Sequence, residues 1–143
     1  MPLRTVVPGN ALATLRSLAS RGDQMASVLF SFFDNTYYCV LSAGAEASNV
    51  IRITGQVKDQ DGQNVAGVKD IVVTSFPVSG AGTMAAVAGQ GTVKSGAASK
   101  QVWIQTTSTG SFQLDVTNAA AEDNLIKAEL DNGTVETLKL TYA

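Results

Sequence analysis

Residues 50–58 alternate with a period of two. Ile51, Ile53, Gly55 and Val57 are interleaved with Arg52, Thr54, Gln56 and Lys58. A strand of this kind has one buried side and one wet side. It runs into Asp59-Gln60-Asp61-Gly62-Gln63-Asn64, which is turn chemistry, and the chain re-enters apolar sequence through Val65-Ala66-Gly67-Val68. A half-wet strand belongs to an antiparallel sheet with one covered face, so the chain must supply a second layer.

Further strands follow. Ser111–Thr117 places Phe112, Leu114 and Val116 on one side and Ser111, Gln113, Asp115 and Thr117 on the other. Residues 68–76 read as a strand ended by Pro77, and 101–107 as another, carrying Val102, Trp103 and Ile104. Residues 77–100, rich in Gly, Ala and Ser, are predicted to be a long loop with at most a short strand at 92–94. The last hairpin fixes its own register. A three-residue loop, Asp131-Asn132-Gly133, pairs Leu130 with Thr134 and Ile126 with Leu138, keeping one side apolar with Gly133 left-handed. A two-residue loop would pair Ile126 with Lys139. Five to seven short strands separated by turns predict an all-β sandwich.

The front of the chain differs. Asn10 is a candidate helix N-cap, Leu12, Leu15 and Leu18 share a helical stripe, and Gly22 stops it. Residues 25–33 and 36–42 read as a hairpin about Asp34-Asn35, with Phe30, Phe32, Phe33, Tyr37 and Tyr38 crowded into it. Its alternation is poor, which predicts cover on both faces. The small-residue stretch 44–49 divides the chain into an N-terminal anchoring and oligomerisation extension, 1–48, and a sandwich, 49–143. The aromatic cluster either packs on the sandwich or forms the anchoring surface, and the second reading is preferred because a sandwich of that size owns its core.

Charge narrows the partners. Lys and Arg total 10 and are scattered, and the net charge is −2, so neither a phosphate backbone nor an anionic membrane surface has a basic patch to meet. The apolar window 25–43 is broken by Asp34-Asn35, so no membrane span is read, and Arg4, Arg16, Arg21 and Pro8-Gly9 interrupt any leader-like core. No histidine exists, which removes Ser-His-Asp and Cys-His catalysis. No acidic pair stands out by spacing, and no catalytic residue or cofactor is expected. The single Cys39 lies in an apolar run and is read as a small hydrophobe rather than a reactive thiol. Asp59, Asp61 and Asn64 resemble half a calcium loop, but the bidentate Glu is missing and the same residues favour a plain turn. Gly80-x-Gly82 and Gly89-x-Gly91 lack the strand–helix setting of a phosphate cradle. Trp103 falls opposite Val102 and Ile104, either in the core of another sheet or as a surface contact anchor.

Val57-x-Asp59-x-x-Gly62-x-x-Val65-Ala66-Gly67-Val68 resembles the opening of bacterial Ig-like repeats of the invasin and intimin kind. Thr107-Ser108-Thr109-Gly110 with the strand Ser111–Val116 resembles their later turn and strand, and the final hairpin their closing strands. The resemblance covers about residues 50–143 and implies an Ig-like β-sandwich; such domains also occur on bacteriophage virions. The glycine-rich 79–91 stretch and residues 1–48 depart from the repeat. The expectation is a non-enzymatic structural protein of a phage virion, assembled in the host cytoplasm. It would bind capsid or tail proteins and copies of itself as a homo-oligomer, with capsid decoration first and a tail or neck role next. A surface adhesion module binding a receptor or glycan is the alternative. Contact residues are expected at Leu12, Leu15, Leu18, Phe30, Phe32, Phe33, Tyr37, Tyr38 and Trp103.

Overall fold

The alternation at 50–58 forms β2 (Val50–Lys58), with Ile51, Ile53 and Val57 buried and Arg52 exposed. It pairs antiparallel with β7 (Ser111–Thr117), whose Phe112, Leu114 and Val116 face the same interior. Gly55 lies opposite Phe112, and a Cβ there would come within 2.1 Å of the ring. Glycine in mid-strand is thus the condition for seating Phe112, a side chain whose burial stabilises the fold by about 1.5–3 kcal/mol.

The computed structural model describes residues 37–77, 82–97, 99–120 and 122–143. The predicted helix with Leu12, Leu15 and Leu18, and the predicted strand with Phe30, Phe32 and Phe33, lie outside the described residues.

Nine strands are described. Besides β2 and β7 they are β1 (Tyr38–Ala43), β3 (Asp70–Phe76), β4 (Thr83–Ala86), β5 (Thr92–Ser95), β6 (Gln101–Gln105), β8 (Asn124–Leu130) and β9 (Val135–Leu140). They form two antiparallel sheets, ordered β1-β2-β7-β4 and β5-β6-β3-β8-β9. The core lies between them. Cys39, Leu41, Ile53, Met84 and Leu114 come from the first sheet, and Ile71, Val73, Val102, Ile104, Ile126 and Leu140 from the second.

Two expectations change. The boundary at 48/49 falls between β1 and β2, which are paired from Tyr38↔Lys58 to Ala43↔Ile53. Cys39 and Leu41 are core residues. The sandwich therefore takes in Tyr37–Ala43, because a period-two strand whose inner side is Cys and Leu needs the same interior as its neighbour. The long loop expected over 77–100 contains two edge strands on opposite sheets. β5 is the short strand read at 92–94, whereas β4 needs only Met84 pointing inward, fully buried, so a Gly- and Ala-rich composition hides it.

The final hairpin has the predicted register. Ile126 pairs with Leu138, the Leu130 amide donates to the Thr134 carbonyl at 3.0 Å, and Gly133 has φ of 84°. One end of the sandwich holds a buried amide pair that alternation does not reveal. Asn118 Nδ2 donates to Asn124 Oδ1 at 2.6 Å and to the Glu122 carbonyl at 2.7 Å, and Asn124 Nδ2 donates to the Phe76 carbonyl at 3.2 Å. Buried amides are retained when their partners are all present.

Candidate functional site

The two sequence motifs that carry the Ig-like resemblance meet at one end of the sandwich. Val57 N–H donates to the Gly110 carbonyl at 2.9 Å, and Gly67 N–H to the Ser108 carbonyl at 2.6 Å. Gly110, at φ of 77°, lets the Thr107–Ser111 turn press on the Val65 carbonyl, which a Cβ would approach to 2.1 Å. Asp59 Oδ1 accepts the amides of Asp61 and Gln63, both at 2.9 Å, an Asx turn. Asn64 Oδ1 is taken by the Lys58 ammonium at 2.9 Å, and the same Nζ reaches the Gly62 carbonyl at 3.3 Å. A resident lysine cation thus stands among the oxygens that calcium would need, and the turn reading of Asp59, Asp61 and Asn64 is the one the geometry supports. Among the described residues no group of three or more Cys, Asp or Glu converges as metal ligands.

The surface with unusual chemistry is the outer face of the second sheet. Ile71, Val73, Val102, Ile104 and Ile126 point inward, so strand alternation sends Val72, Phe76, Trp103 and Leu125 outward. Their exposures are 39%, 37%, 42% and 44%, and they are four of the six exposed large hydrophobics among the described residues. The others, Val40 on β1 and Val68 before β3, stand apart. Trp103 pairs with Val72, and Phe76 with Leu125, so the four form two apolar pairs along β3. Thr74, Gln101 and Lys127 occupy the register row between them, with Gln101 Nε2 donating to Thr74 Oγ1 at 3.3 Å.

Each pair borders an open depression. The first, ≈ 320 Å³, is lined by Asp70, Val72, Trp103, Glu129, Leu130 and Asp131. Trp103 Nε1 donates to Asp70 Oδ1 at 3.0 Å, which ties the edge of the indole to β3. Glu129 pairs with Lys127 at 3.3 Å. The second, ≈ 450 Å³, is lined by Phe76, Pro77, Asp123, Asn124, Leu125 and Lys139, where Lys139 pairs with Asp123 at 2.9 Å. Such a surface offers apolar area and an aromatic plate, ringed by charges that already have partners. This is the anatomy of a contact patch with a polar rim.

Tyr37 sits at the rim. Its hydroxyl donates to Asp131 Oδ1, and its carbonyl accepts from Asn132 Nδ2 at 2.8 Å and Thr134 Oγ1 at 3.1 Å. The Lys69 ammonium lies 4.8 Å from the centre of its ring. Burial, then the Asp131 hydrogen bond and the charges of Asp131 and Asp70, hold the phenol well above its usual pKa, so it stays a donor. The expected contact residues therefore separate. Trp103 is on the surface, Tyr37 ties the chain to the rim of the same face, and Tyr38 is half-buried opposite Lys58 on the other sheet. Val72, Phe76 and Leu125 join Trp103 instead. Their signal is the consecutive apolar run Ile71-Val72-Val73 and the doublet Leu125-Ile126: in a strand, one neighbour of any apolar pair must face outward.

Cys39 is buried under β1, and burial first, then the Glu136 charge, pushes its thiol up to about 12. It packs as a small hydrophobe rather than as a nucleophile.

No protein-family model matches the chain, and no curated protein does. Solved structures do. Two structures of Parabacteroides merdae β-glucuronidase align over 72% and 73% of this chain at 15% identity, with TM-scores of 0.53 and 0.54, and the match covers 12% of the enzyme chain. The Yersinia pseudotuberculosis adhesin InvE aligns over 74% at 17% identity and a TM-score of 0.50. The fold is an Ig-like β-sandwich. The strand order β1-β2-β7-β4 corresponds to A-B-E-D of that fold and β3-β8-β9 to C-F-G, with β6 and β5 widening the second sheet. The chain spans about an eighth of the glucuronidase and a third (32%) of InvE, so the likeness is to one domain within each.

Proposed function

We propose that this chain is a non-enzymatic structural protein that works by surface contact, with the outer face of β5-β6-β3-β8-β9 docking another protein chain of an assembly. The observation that carries this is the concentration of Val72, Phe76, Trp103 and Leu125 on one sheet face, when scattered single apolar residues are the norm on a free surface. The setting we favour is a bacteriophage virion, as a capsid decoration protein first and a tail or neck component next. Low charge, a surface of Ser, Thr, Gln and Gly, and an apolar front segment support an existence inside an assembly. The test is co-sedimentation of the full chain with empty shells or tail tubes of the encoding phage. The chain pellets with one of them, and the double variant Trp103→Asp/Leu125→Asp stays in the supernatant while its far-UV circular dichroism is unchanged. A full chain that binds neither shells nor tubes overturns the reading.

A second reading is recognition of a glycan at the first depression. It is favoured by one observation: an indole, 42% exposed, beside Asp70, Glu129 and Asp131, since sugars stack on aromatic plates and donate hydroxyls to carboxylates. Glycan binding that quenches Trp103 and disappears in Trp103→Ala would select it over protein docking.

A further inference from the structure

The band of Trp103, Val72, Phe76 and Leu125 is apolar at both ends and uneven in charge. At the Phe76 end, the second depression has one carboxylate and one ammonium, Asp123 and Lys139, and they are paired at 2.9 Å. At the Trp103 end, the first depression has three carboxylates, Asp70, Glu129 and Asp131. Glu129 is matched by Lys127. Asp70 accepts from the Trp103 indole and Asp131 from the Tyr37 hydroxyl, and a neutral donor satisfies an acceptor without cancelling its charge. Among the described residues neither aspartate belongs to an ion pair, and Lys69, next to Asp70 in sequence, has its ammonium over the Tyr37 ring. Between the carboxylates lie Val72, Leu130 and the indole. The depression therefore calls for a positive charge carried on an apolar stem.

We propose that the protein chain docked on this face inserts an arginine side chain into the first depression, its guanidinium stacked on the Trp103 indole and its N–H groups directed to Asp70 and Asp131. In both aspartates Oδ1 is the engaged oxygen, so Oδ2 accepts from the incoming fork. An aliphatic side chain in the same place would take two carboxylates out of water without compensating them. A lysine would bring one strongly hydrated ammonium. The guanidinium is planar, weakly hydrated and forked, so it covers the indole and reaches two carboxylates at once. The Phe76 end, where charge is already balanced, takes no such residue. This rests on the docking role proposed above for the face and names the side chain that the partner must carry.

Trp103 is the chain's one tryptophan, so its indole N–H gives a single NMR signal. In the full chain, N-acetyl-arginine amide is expected to shift this signal saturably, with a dissociation constant on the order of millimolar. N-acetyl-citrulline amide has the same shape without the charge and is expected to bind about tenfold more weakly, the weight of one charge-assisted hydrogen bond. Asp70→Asn/Asp131→Asn keeps an acceptor for Trp103 Nε1 and for the Tyr37 hydroxyl and removes both charges. With far-UV circular dichroism unchanged, it is expected to lose arginine binding and about tenfold in affinity for the shell or tail tube that the parent binds. Equal shifts with arginine and citrulline, or none with either, overturn the inference whether or not the variant folds. So does arginine binding that survives in the variant, or a signal moved by methyl glucoside and not by arginine, which would select the glycan reading. If the variant loses arginine yet co-sediments as the parent does, the inference falls and docking stands. If arginine binds as described and the full chain meets neither shells nor tubes, only the docking reading falls.

Discussion

The two outer faces of the sandwich are made by the same strand alternation and differ in nearly every property. On the first sheet, Arg52 grips Asp115 through two hydrogen bonds, Nε to Oδ1 at 2.8 Å and Nη2 to Oδ2 at 2.9 Å, and Gln113 Nε2 donates to Thr54 Oγ1 at 3.2 Å. Arg52 and Thr54 are the cross-strand partners of Asp115 and Gln113, so polar groups on this face satisfy one another. Val40, 38% exposed, is its one large apolar side chain among the described residues. On the second sheet the corresponding pairs are Val72–Trp103 and Phe76–Leu125. A face whose side chains pair within the sheet asks nothing of a neighbour. A face with two apolar pairs leaves area that water penalises, about 25 cal/mol for each Å² left uncovered.

Perturbations sort by how far they reach beyond one face. Phe112→Ala empties the space that Gly55 was shaped to leave and loosens both sheets together. The expected loss is about 3–5 kcal/mol by denaturant melts. A loss below about 1 kcal/mol would show that the core collapses around the gap.

Alkali acts next. The Cys39 thiol, pushed up to about 12, is favoured in its neutral form by the fold. That contribution is complete below the ordinary thiol range near 8.5 and is lost as pH rises through about 12, a change on the order of 4 kcal/mol. Cys39→Ala should flatten the decline in melting temperature across that window, leaving the parts due to Tyr37, held well above its usual range, and to Tyr142. That phenol is also pushed up to about 12, by burial and then by Glu46, and its hydroxyl donates to the Val116 carbonyl at 2.9 Å. Cys39 lies under the polar sheet and Trp103 on the apolar one. If circular dichroism and Trp103 fluorescence report different midpoints in alkali, the two layers melt separately.

Asn118→Ala leaves Asn124 Oδ1 without its buried donor and is expected to remove about 1–3 kcal/mol, read by the same melts. Arg52→Ala removes an exposed, solvent-screened ion pair, and the melts are expected to move little. Leu125→Lys, in one of the two apolar pairs of the other face and 44% exposed, is the sharpest contrast: fold stability is expected to move by less than about 0.5 kcal/mol, while co-sedimentation with the assembly falls. If Arg52→Ala weakens co-sedimentation as much as Leu125→Lys does, the two faces do not differ in role.

Much of the architecture was readable from periodicity. β2 and β7 have clean alternation, and the last hairpin has one register that keeps Ile126 and Leu138 together, so its pairing follows from the sequence alone. The short strand at 92–94 is legible and forms β5, whereas β4 is not, because an edge strand four residues long needs one inward side chain, and Met84 amid Gly and Ala makes no pattern. β1 was assigned to the wrong unit because the small residues 44–49 look like a linker. They are a tight reversal instead, with Ser48 and Asn49 at φ of 52° and 64° and Ala47 bridged to Val50. For the candidate site, alternation placed Trp103 outside its strand neighbours. It could not gather Val72, Phe76 and Leu125 beside it, since which strands are adjacent depends on the order β6-β3-β8, a property of the whole topology.

The free margins of the sandwich carry a last consequence. β1 and β9 lie against each other, while the opposite margins are the four-residue β4 and the β5 ribbon, whose register slips between Val93 and Ser95. A short, kinked border is a poor template for a stranger's backbone, so fibril-like stacking finds no start there. Whatever such a molecule meets, it meets through the side chains of its broad surfaces, and its sheets are not continued by another backbone.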